Sequence, residues 1–436
     1  MRMKFNKSGQ LLLVAAASLL GATLLTACAT LTVDFVFVAS SKAAGTINAG
    51  EINVMEINSE SGAMRQIPTS PFPSGGRNPV ADAVSSDNTN LYVVNQDDNS
   101  IVQFIIGNDG KLYPQNTTNT AGIYPFAVTV SGTTLFVADT YQPLPTCSTA
   151  APCSGSIAAY PISISSTSPP SDSLGQAIAN GNLNYWPLSI PGSPNDVVEP
   201  TGINVLHSGS YLYVSAYDST AASNFTSGAN YVFGFSIASS GALTPLNGGA
   251  PLAGGAIDTG ACTNAYLNAP FIIGTCPASI ASDPSSTYVY VTDSVNNEVH
   301  AYSVAAGTGL LTSLGSPVNS GNQPSAIVVD PAYSYVYVAN ALDSTITAYS
   351  MSSGALTNLG TYTTGSEPVA IGIDPSTNHF LYTANYLGSG INGNVSGFEL
   401  SPTAGTLIVS KSSPYKSNAL PTAVAAIPHG SAGRTQ

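Results

Sequence analysis

The feature that most constrains the fold is a repeat that recurs seven times along the chain. Each copy begins with an X-Pro step and a short apolar strand. After a turn, a second strand alternates aromatic residues with valine and ends in Asn, Asp or Ser. The clearest copy starts at Pro324, turns at Asp330 and continues through Tyr335–Asn340. The repeat prolines are Pro79, Pro125, Pro200, Pro277, Pro324, Pro368 and Pro421. A fixed period of about 45 residues indicates an array of one small structural unit.

Each repeat is expected to contain four short strands. Second strands are predicted over residues 35–40, 91–95, 135–139, 211–216, 288–293, 335–340 and 380–385. Third strands are predicted to begin near Glu51, Ser100, Ser156, Tyr231, Glu298, Thr345 and Asn394. Four-stranded units of this length are typical of propeller blades. The sequence therefore predicts an all-β, seven-bladed β-propeller. Its seventh blade is split, and pairing of residues 421–427 with the N-terminal strands closes the ring and removes open sheet edges.

Composition excludes several other classes of protein. Of the 436 residues only 8% are charged, and the formal net charge is −13. A chain this acidic is repelled by phosphate, so no nucleic-acid partner is expected. With 43% hydrophobic residues the chain has enough apolar surface to bury a core, which argues against disorder. A closed ring has no free edge that requires a partner, so we expect a monomer.

The N-terminal segment is typical of an export signal. A basic start is followed by an apolar stretch from Leu11 to Ala27 and then Cys28. The residues Leu25-Thr26-Ala27-Cys28 resemble a bacterial lipobox, which implies lipidation of Cys28. We therefore predict a signal peptide (1–27), a lipidated cysteine with a short tether (28–34), the propeller (35–430) and a tail (431–436). An extracytoplasmic location follows, with attachment to the membrane, and Ala29 in place of Asp favours the outer membrane. The alternative is a plain transmembrane anchor, for which a 17-residue stretch is short.

The remaining four cysteines form two local pairs. Cys147 and Cys153 are separated by five residues, and Cys262 and Cys276 by thirteen. Disulfides are expected in an exported chain. Zinc binding is the alternative, but the spacing is wider than C-x₂₋₄-C and no histidine lies near either pair.

The strand sequences also resemble a known family. The segments Tyr288–Asp293, Tyr335–Asn340 and Phe380–Asn385, and the Asp-Pro turns at Asp283, Asp330 and Asp374, are similar to those of the lactonase-like, or YVTN, β-propellers. The resemblance covers nearly all of the chain from Phe35 to His429. It implies the propeller fold and kinship with enzymes that hydrolyse 6-phosphogluconolactone or lactonise muconate. The family also includes secreted propellers with no known reaction. The reactive histidine and arginine of the enzymes have no match here, which argues against a phosphorylated substrate. WD40 repeats are disfavoured because Trp186 is the only tryptophan.

Candidate site residues lie on one face, which we call the top: the face of the loops that enter first strands and join second to third strands. Glu199 and Glu367 each precede a blade proline, and Arg77 lies two residues before Pro79. A carboxylate base and a cationic donor are what lactone hydrolysis needs, so these three are the catalytic candidates. Binding candidates are the residues that end second strands: Asp139, Asp293, Asn95, Asn340 and Asn385. Asn and Asp at such positions also commonly cap turns.

Two functions from different classes remain open. The favoured one is a membrane-tethered binding or surface-scaffold propeller whose top face takes a small molecule, a carbohydrate or a protein. The alternative is a lactone hydrolase acting on a non-phosphorylated lactone. Histidines 207, 379 and 429 fall in turns on the opposite face, and His300 falls in a third strand. No metal site is therefore expected. No cofactor is expected either, since electron transfer would call for a C-x-x-C-H haem motif or tryptophan-rich blades.

Overall fold

The fold is described from a computed structural model. It describes residues 32–41, 49–147, 153–163, 172–193, 195–219, 229–257, 279–332, 334–374, 379–387, 392–417 and 419–428. Within these ranges, no helix has the length and apolar character needed to cross a bilayer. Cys28, Cys262, Cys276 and His429 lie outside the described residues.

The described chain consists almost entirely of β-strands. In chain order the first strands are β1 (Thr32–Ser41), β2 (Ala49–Asn58), β3 (Met64–Gln66), β4 (Phe72–Arg77), β5 (Pro79–Val84), β6 (Asn90–Asn95), β7 (Ser100–Ile106), β8 (Leu112–Asn119), β9 (Ile123–Ser131), β10 (Thr134–Tyr141), β11 (Ser156–Ser163), β12 (Ser173–Leu174) and β13 (Trp186–Pro187). They continue with β14 (Val198–Val205), β15 (Tyr211–Asp218), β16 (Ala229–Ile237), β17 (Leu243–Pro245), β18 (Ala253–Ile257), β19 (Ser279–Ser282), β20 (Tyr288–Asp293), β21 (Glu298–Val304), β22 (Leu311–Ser313) and β23 (Val318–Asn319). The last ten are β24 (Pro324–Val329), β25 (Tyr335–Asn340), β26 (Thr345–Ser352), β27 (Ala355–Thr363), β28 (Pro368–Ile373), β29 (Phe380–Asn385), β30 (Asn394–Leu400), β31 (Leu407–Val409), β32 (Tyr415–Lys416) and β33 (Leu420–Pro428).

These strands form seven antiparallel sheets, one per blade, and confirm the predicted seven-bladed propeller. Blades 1 to 6 take their innermost strands from β5, β9, β14, β19, β24 and β28. Blade 7 is made of β33 and β1 to β4. Its closure is as predicted: β33 pairs with β1 from Asp34 opposite Pro428 to Ser41 opposite Leu420. The two ends of the described chain therefore hold the ring together.

The outermost strand is broken in most blades. In blades 2, 3, 4, 6 and 7 two short strands take its place, whereas β8 and β27 are continuous. In blade 2 these pieces are β12 and β13, and Trp186 on β13 is buried against β11. Part of the long connection between β11 and β14 therefore completes the outer edge of blade 2.

Neighbouring blades are joined by a repeated contact that we call the Tyr–Gly latch. The second tyrosine of the Tyr-Val-Tyr-Val strand donates its hydroxyl to a glycine carbonyl in the outer turn of the next blade. The hydroxyl of Tyr213 lies 2.7 Å from the Gly309 oxygen, and that of Tyr337 lies 3.1 Å from the Gly405 oxygen. These glycines have positive φ, where residues with a Cβ are strained. A Cβ on Gly405 would also lie 2.4 Å from the ring of Tyr335.

Each proline at the start of an innermost strand coincides with a β-bulge. The pairing register shifts there at all six prolines that are described, for example between Pro79 and Ala81 and between Pro368 and Ala370. Proline has no N–H to donate to the ladder, so a bulge is a favourable place for it. The hydroxyl of Thr422, the extra residue of its bulge, lies 2.8 Å from the Pro79 carbonyl oxygen in the next blade. The bulges thus tie the inner ends of adjacent blades together.

The latch predicts opposite effects for two equivalent tyrosines. Tyr337→Phe removes a buried hydrogen bond and should lower the free energy of unfolding by about 1 kcal/mol. The hydroxyl of Tyr382, at the same position of blade 6, is buried with no hydrogen-bond partner in the described part of the chain. Tyr382→Phe should therefore leave stability unchanged or raise it. Urea denaturation of the two variants beside the wild type measures the difference, and equal losses would contradict the latch.

Candidate functional site at the channel mouth

The innermost strands surround a central cavity of about 250 Å³. Three consecutive residues after the blade proline line it in nearly every blade. The position two residues after the proline is small: Ala81, Ala127, Gly202, Ser279, Ala326, Ala370 and Ala423. The cavity is therefore widest where these small side chains lie, just below the ring of prolines. A second cavity, of about 430 Å³, lies beside Trp186 between blades 2 and 3 and has no ionisable side chain in its lining. Of these two cavities, the central channel is the one with an ionisable side chain, Asp82, in its lining.

The residues that precede the blade prolines form the mouth of this channel. Asn78, Tyr124, Gln323 and Glu367 have φ between 53° and 55°, a left-handed conformation. This conformation is strained for residues other than glycine. The Glu367 carbonyl oxygen accepts a hydrogen bond of 2.8 Å from the backbone N–H of Tyr386, just past the paired second strand, and Asn78 and Gln323 accept the equivalent bonds. The strained turn is thus a repeated structural device.

Glu199 occupies the same position of blade 3, but its backbone conformation is different. It lies within β14, directly opposite Tyr217 of β15, and is absent from the positive-φ residues. Its side chain is buried, and Oε2 accepts a hydrogen bond of 2.8 Å from the Tyr217 hydroxyl. Burial raises the pKa of Glu199, while the hydroxyls of Tyr217 and Ser219 partly oppose that rise. A carboxyl group held in this way can accept and return a proton nearer neutral pH than an exposed glutamate.

Two tyrosines of blade 2 extend the site from Glu199 towards Arg77. Tyr141 is buried beside Glu199, and burial together with that carboxylate raises the pKa of Tyr141 to about 12. Its ring meets that of Tyr124 edge to face, with centroids 6.1 Å apart. Tyr124 in turn lies close enough to Arg77 to contribute to the raised pKa of the guanidinium. These residues form an arc that runs from the end of β4 in blade 7 to blades 2 and 3. We call it the mouth arc, and its five residues are Arg77, Tyr124, Tyr141, Glu199 and Tyr217.

Arg77 is paired with Asp98, which lies in the turn between β6 and β7 of blade 1. Its Nε donates to Asp98 Oδ1 at 2.7 Å, and its Nη2 lies 2.6 Å from the same oxygen. This hydrogen bond is the main cause of the raised pKa of Arg77. The side chain is half exposed, so the pair contributes little to stability. Because Asp98 neutralises its charge, Arg77 is not a free anion-binding group.

Glu367 lies on the opposite side of the ring, three blades from Glu199. Its side chain is half-buried, and burial raises its pKa. The neighbouring Tyr386 is buried, and burial with the Glu367 carboxylate raises the pKa of that tyrosine to about 12. The three catalytic candidates are therefore not brought together as one group: Glu199 and Arg77 share the mouth arc, and Glu367 faces it from across the channel.

The binding candidates at the ends of the second strands are buried in polar networks. Asn340 Nδ2 donates to the hydroxyls of Thr345 and Thr347, and Asn385 Nδ2 donates to Asn394 and Ser396. Asn95 Oδ1 accepts a hydrogen bond from Ser74. These amides link the second strand of a blade to strands beside it.

The two aspartates at this position differ in charge state. Burial raises the pKa of Asp139 to about 8, against the opposing hydrogen bonds from Gly122 and Thr120. Burial also acts to raise the pKa of Asp293, but His300 and Asn296 outweigh it and lower the value. Asp139 is thus mostly uncharged at neutral pH, whereas Asp293 is a carboxylate.

Asp293, Glu298 and His300 are the ligand-type side chains that meet most closely in the described residues. Their ligand atoms lie within 4.8 Å of one another, and His300 Nε2 lies 3.2 Å from Glu298 Oε1. Asp293 and Glu298 are opposite each other across the β20–β21 hairpin. Such a set has donors suited to a divalent cation, although protonated His300 bridging the two carboxylates satisfies the same charges. The histidine is in a third strand, as predicted.

The disulfide between Cys147 and Cys153 is present, as predicted, with the Cα atoms 5.4 Å apart. It closes a short loop that follows β10, next to Tyr141. The predicted partners Cys262 and Cys276 lie outside the described residues, as does the lipidation candidate Cys28.

Sequence reasoning missed four residues of interest: Tyr124, Tyr141, Tyr217 and Asp82. The tyrosines carried a signal, since Tyr124 precedes a blade proline and the other two follow second strands by one or two residues. The sequence signal for Asp82 is clearer. It lies three residues after its blade proline, where the other repeats have valine or isoleucine.

A sequence model of the family described as lactonase, 7-bladed β-propeller, matches residues 43–161, 263–373 and 288–412, together more than half of the chain. The chain belongs to the lactonase family of seven-bladed β-propellers. A search of curated protein sequences gives no significant match to this lactonase-family protein.

Solved structures share the fold at low sequence identity. A putative 6-phosphogluconolactonase from Bacteroides uniformis is 16% identical with a TM-score of 0.64, covering 91% of this chain and 100% of its own. One from Bacteroides fragilis is 18% identical with a TM-score of 0.63, covering 92% and 99%. A periplasmic gluconolactonase from Pseudomonas aeruginosa is 17% identical with a TM-score of 0.59, covering 90% and 99%. At these identities the likeness is one of fold.

The hydrogen bond from Tyr217 makes a prediction about Glu199 that does not depend on function. Because that bond favours the ionised carboxyl, Tyr217→Phe should raise the pKa of Glu199 further. Carboxyl ¹³C chemical shifts measured against pH in glutamate-labelled protein follow the titration. The chain has seven glutamates, which keeps the spectrum simple. Tyr386→Phe, across the channel, is the matched control and should leave Glu199 unchanged. A Glu199 titration that does not respond to Tyr217→Phe would contradict the assignment.

Proposed function

We propose that this protein is a lactone hydrolase and that the mouth arc is its active site. The observation that supports this most is Glu199, a buried carboxyl hydrogen-bonded to Tyr217 and adjacent to Tyr141. It lies directly before the proline whose following residues line the channel. Membership of the lactonase family supports the same class of reaction.

Each residue of the arc has a role in the proposed reaction. The Glu199 carboxylate takes a proton from water as the water oxygen attacks the lactone carbonyl carbon. The Tyr141 hydroxyl, kept protonated by its raised pKa, donates a hydrogen bond to the oxyanion of the tetrahedral intermediate. The ring C–O bond then breaks, and protonated Glu199 returns its proton to the leaving alkoxide. The product is the open hydroxy acid, and all atoms of the water are accounted for.

The charges of the arc favour an uncharged lactone. Recognition of a phosphate usually uses several cationic or bidentate donors. The cation of the arc, Arg77, is already paired with Asp98. The formal net charge of −13 further disfavours an anionic substrate. We therefore propose a non-phosphorylated substrate, such as a neutral sugar or aliphatic lactone.

The test is hydrolysis of a panel of sugar, aliphatic and aromatic lactones by the purified full-length protein. Glu199→Gln should lower kcat/KM about 10²–10⁴-fold, since it removes the proton-accepting group while keeping size and hydrogen bonding. Tyr141→Phe should lower kcat about 10²-fold, the effect of losing one oxyanion donor.

Glu367→Gln is the matched control, because it changes the same chemical group three blades away. It should retain turnover. Activity that Glu199→Gln retains, or that Glu367→Gln abolishes, would refute the assignment of the site. No turnover of any lactone by folded wild-type protein would favour the alternative of a ligand-binding or scaffold propeller.

We further propose that the protein acts outside the cytoplasm and is held at a bacterial membrane by lipid on Cys28. The lipobox-like sequence supports the anchor, and the Cys147–Cys153 disulfide is consistent with an oxidising compartment. Its ligands would then be met outside the cell or in the periplasm.

Radiolabelled palmitate distinguishes a lipid anchor from a transmembrane one. In a bacterial host the wild type should incorporate label, and Cys28→Ser should abolish incorporation because the acceptor thiol is gone. Cys262→Ser controls for labelling of another cysteine and should behave as the wild type. A wild type that stays in the membrane without label would support the plain transmembrane anchor.

A further inference from the structure

One position in the channel differs from its six structural equivalents. The third residue after the blade proline is Val128, Ile203, Ile280, Ile327, Ile371 or Val424 in blades 2 to 7, and all six line the cavity. In blade 1 the same position is Asp82, which also lines the cavity. No other residue of the lining is ionisable. A single carboxyl group therefore interrupts an aliphatic ring.

The surroundings of Asp82 leave part of the hydrogen-bonding capacity of its carboxyl group unsatisfied. Its Oδ2 is fully buried and has no hydrogen-bond partner in the described part of the chain. The backbone N–H of Ala39, across the blade 7 interface, is the one group that stabilises the carboxylate. The nearby hydroxyl of Thr422 is committed to backbone carbonyls, including that of Pro79 at 2.8 Å. A buried polar atom without a hydrogen-bond partner is destabilising, and valine at this position would avoid that loss of stability.

We propose that Asp82 and the aliphatic ring form a binding site for a compact organic cation, a primary ammonium on a small alkyl or ring skeleton. The ammonium would pair with the carboxylate, and the skeleton would pack on the small and branched side chains of the channel. Rotation about the Cβ–Cγ bond of aspartate is soft, so either oxygen can face the cavity. This site lies within the channel and is independent of the proposed lactonase activity at its mouth.

The chemistry of the lining selects this class of ligand. A lone carboxylate among apolar side chains, partly shielded from water in the channel, attracts a cation more strongly than it would in bulk water. An anion would meet repulsion and no cationic group, and a large ligand would exceed about 250 Å³. A metal ion prefers several oxygen ligands, whereas the lining offers one carboxylate. A neutral molecule of the same shape gains the apolar contacts but not the charge pair.

The site also predicts that binding releases a proton. Burial raises the pKa of Asp82 to about 8, so the free carboxyl group is mostly protonated at neutral pH. Ionisable groups on the strands packed against β5 are Asp34 on β1, Tyr92 on β6 and Tyr124 on β9, and β33 has none. None of them contributes to this shift. Because the ammonium requires the ionised form, its affinity should rise about 50-fold from pH 6 to pH 8.

Calorimetric titration of the purified full-length protein with cyclohexylammonium at pH 8.5 tests the proposal. We expect one site, with about one proton released per ligand near pH 7, read from titrations in buffers of different ionisation enthalpy. Asp82→Asn and Asp82→Val should each weaken binding at least tenfold. Glu367→Gln, which removes a carboxyl at the mouth instead, should bind as the wild type does. Cyclohexanol, the neutral molecule of similar shape, should bind at least tenfold more weakly.

Asp82→Val guards against loss of folding, because it installs the residue found in other blades. Its melting temperature at pH 8.5 should equal or exceed that of the wild type, since a buried carboxylate has been removed. Several results would overturn the proposal: no binding to folded wild type, equal binding to Asp82→Val, no proton release, or cyclohexanol binding as tightly as cyclohexylammonium.

Discussion

The Tyr–Gly latch joins three successive pairs of blades, from blade 3 to blade 6. A tyrosine hydroxyl and a glycine carbonyl meet at each latch, and the preceding aromatic ring packs where a Cβ would otherwise be. The same steric relation recurs at the closing blade, where a Cβ on Gly62 would lie 2.7 Å from Phe380 and one on Gly110 would lie 2.6 Å from Phe35. Two independent constraints require glycine at these turns. Its φ is positive, and an aromatic ring occupies the space that a Cβ would need. At these outer turns the packing of a ring against glycine limits how closely one blade approaches the next.

Blades set in this way hold the mouth residues in a fixed ring. The proline bulges give three of those residues the same carbonyl hydrogen bond, and four of them the same left-handed φ. Glu199 does not follow this pattern: it lies within β14 opposite Tyr217, and its carboxyl accepts a hydrogen bond from the hydroxyl of that tyrosine. Four of the described mouth residues share the left-handed turn, whereas Glu199 and Leu420 do not, and at Glu199 the different backbone accommodates a buried carboxyl. The candidate site therefore lies where the backbone of one blade departs from the geometry repeated in the others.

The repeat made most of the fold predictable from sequence. The second strands β20, β25 and β29 begin and end where the aromatic–valine pattern does, and the split blade follows from counting seven prolines against the strands. Side-chain partners were harder to predict, because they depend on loops. Arg77 was expected at the channel mouth, yet the turn after β6 places Asp98 against it. When the seven repeats are aligned on their prolines, Asp82 is the exception among valines and isoleucines. The burial of its carboxyl and the missing hydrogen-bond partner become evident only when the strands are placed around the cavity.

The buried acids also change how the charge of this protein should be regarded. A formal charge of −13 counts every carboxyl as ionised. Burial raises the pKa of Asp82 and of Asp139 to about 8, and raises that of Glu199, in three consecutive blades. By contrast, half-buried Asp98 and exposed Asp109 are paired with Arg77 and Lys111, and their pKa values are lowered. The channel, whose lining has Asp82 as its ionisable side chain, is therefore close to neutral at pH 7, while exposed pairs such as Asp109 with Lys111 lie on outer turns. A nearly neutral channel suits the uncharged lactone that we propose as the substrate. The acidic exterior would repel the hydroxy-acid product once its carboxylate has left the mouth.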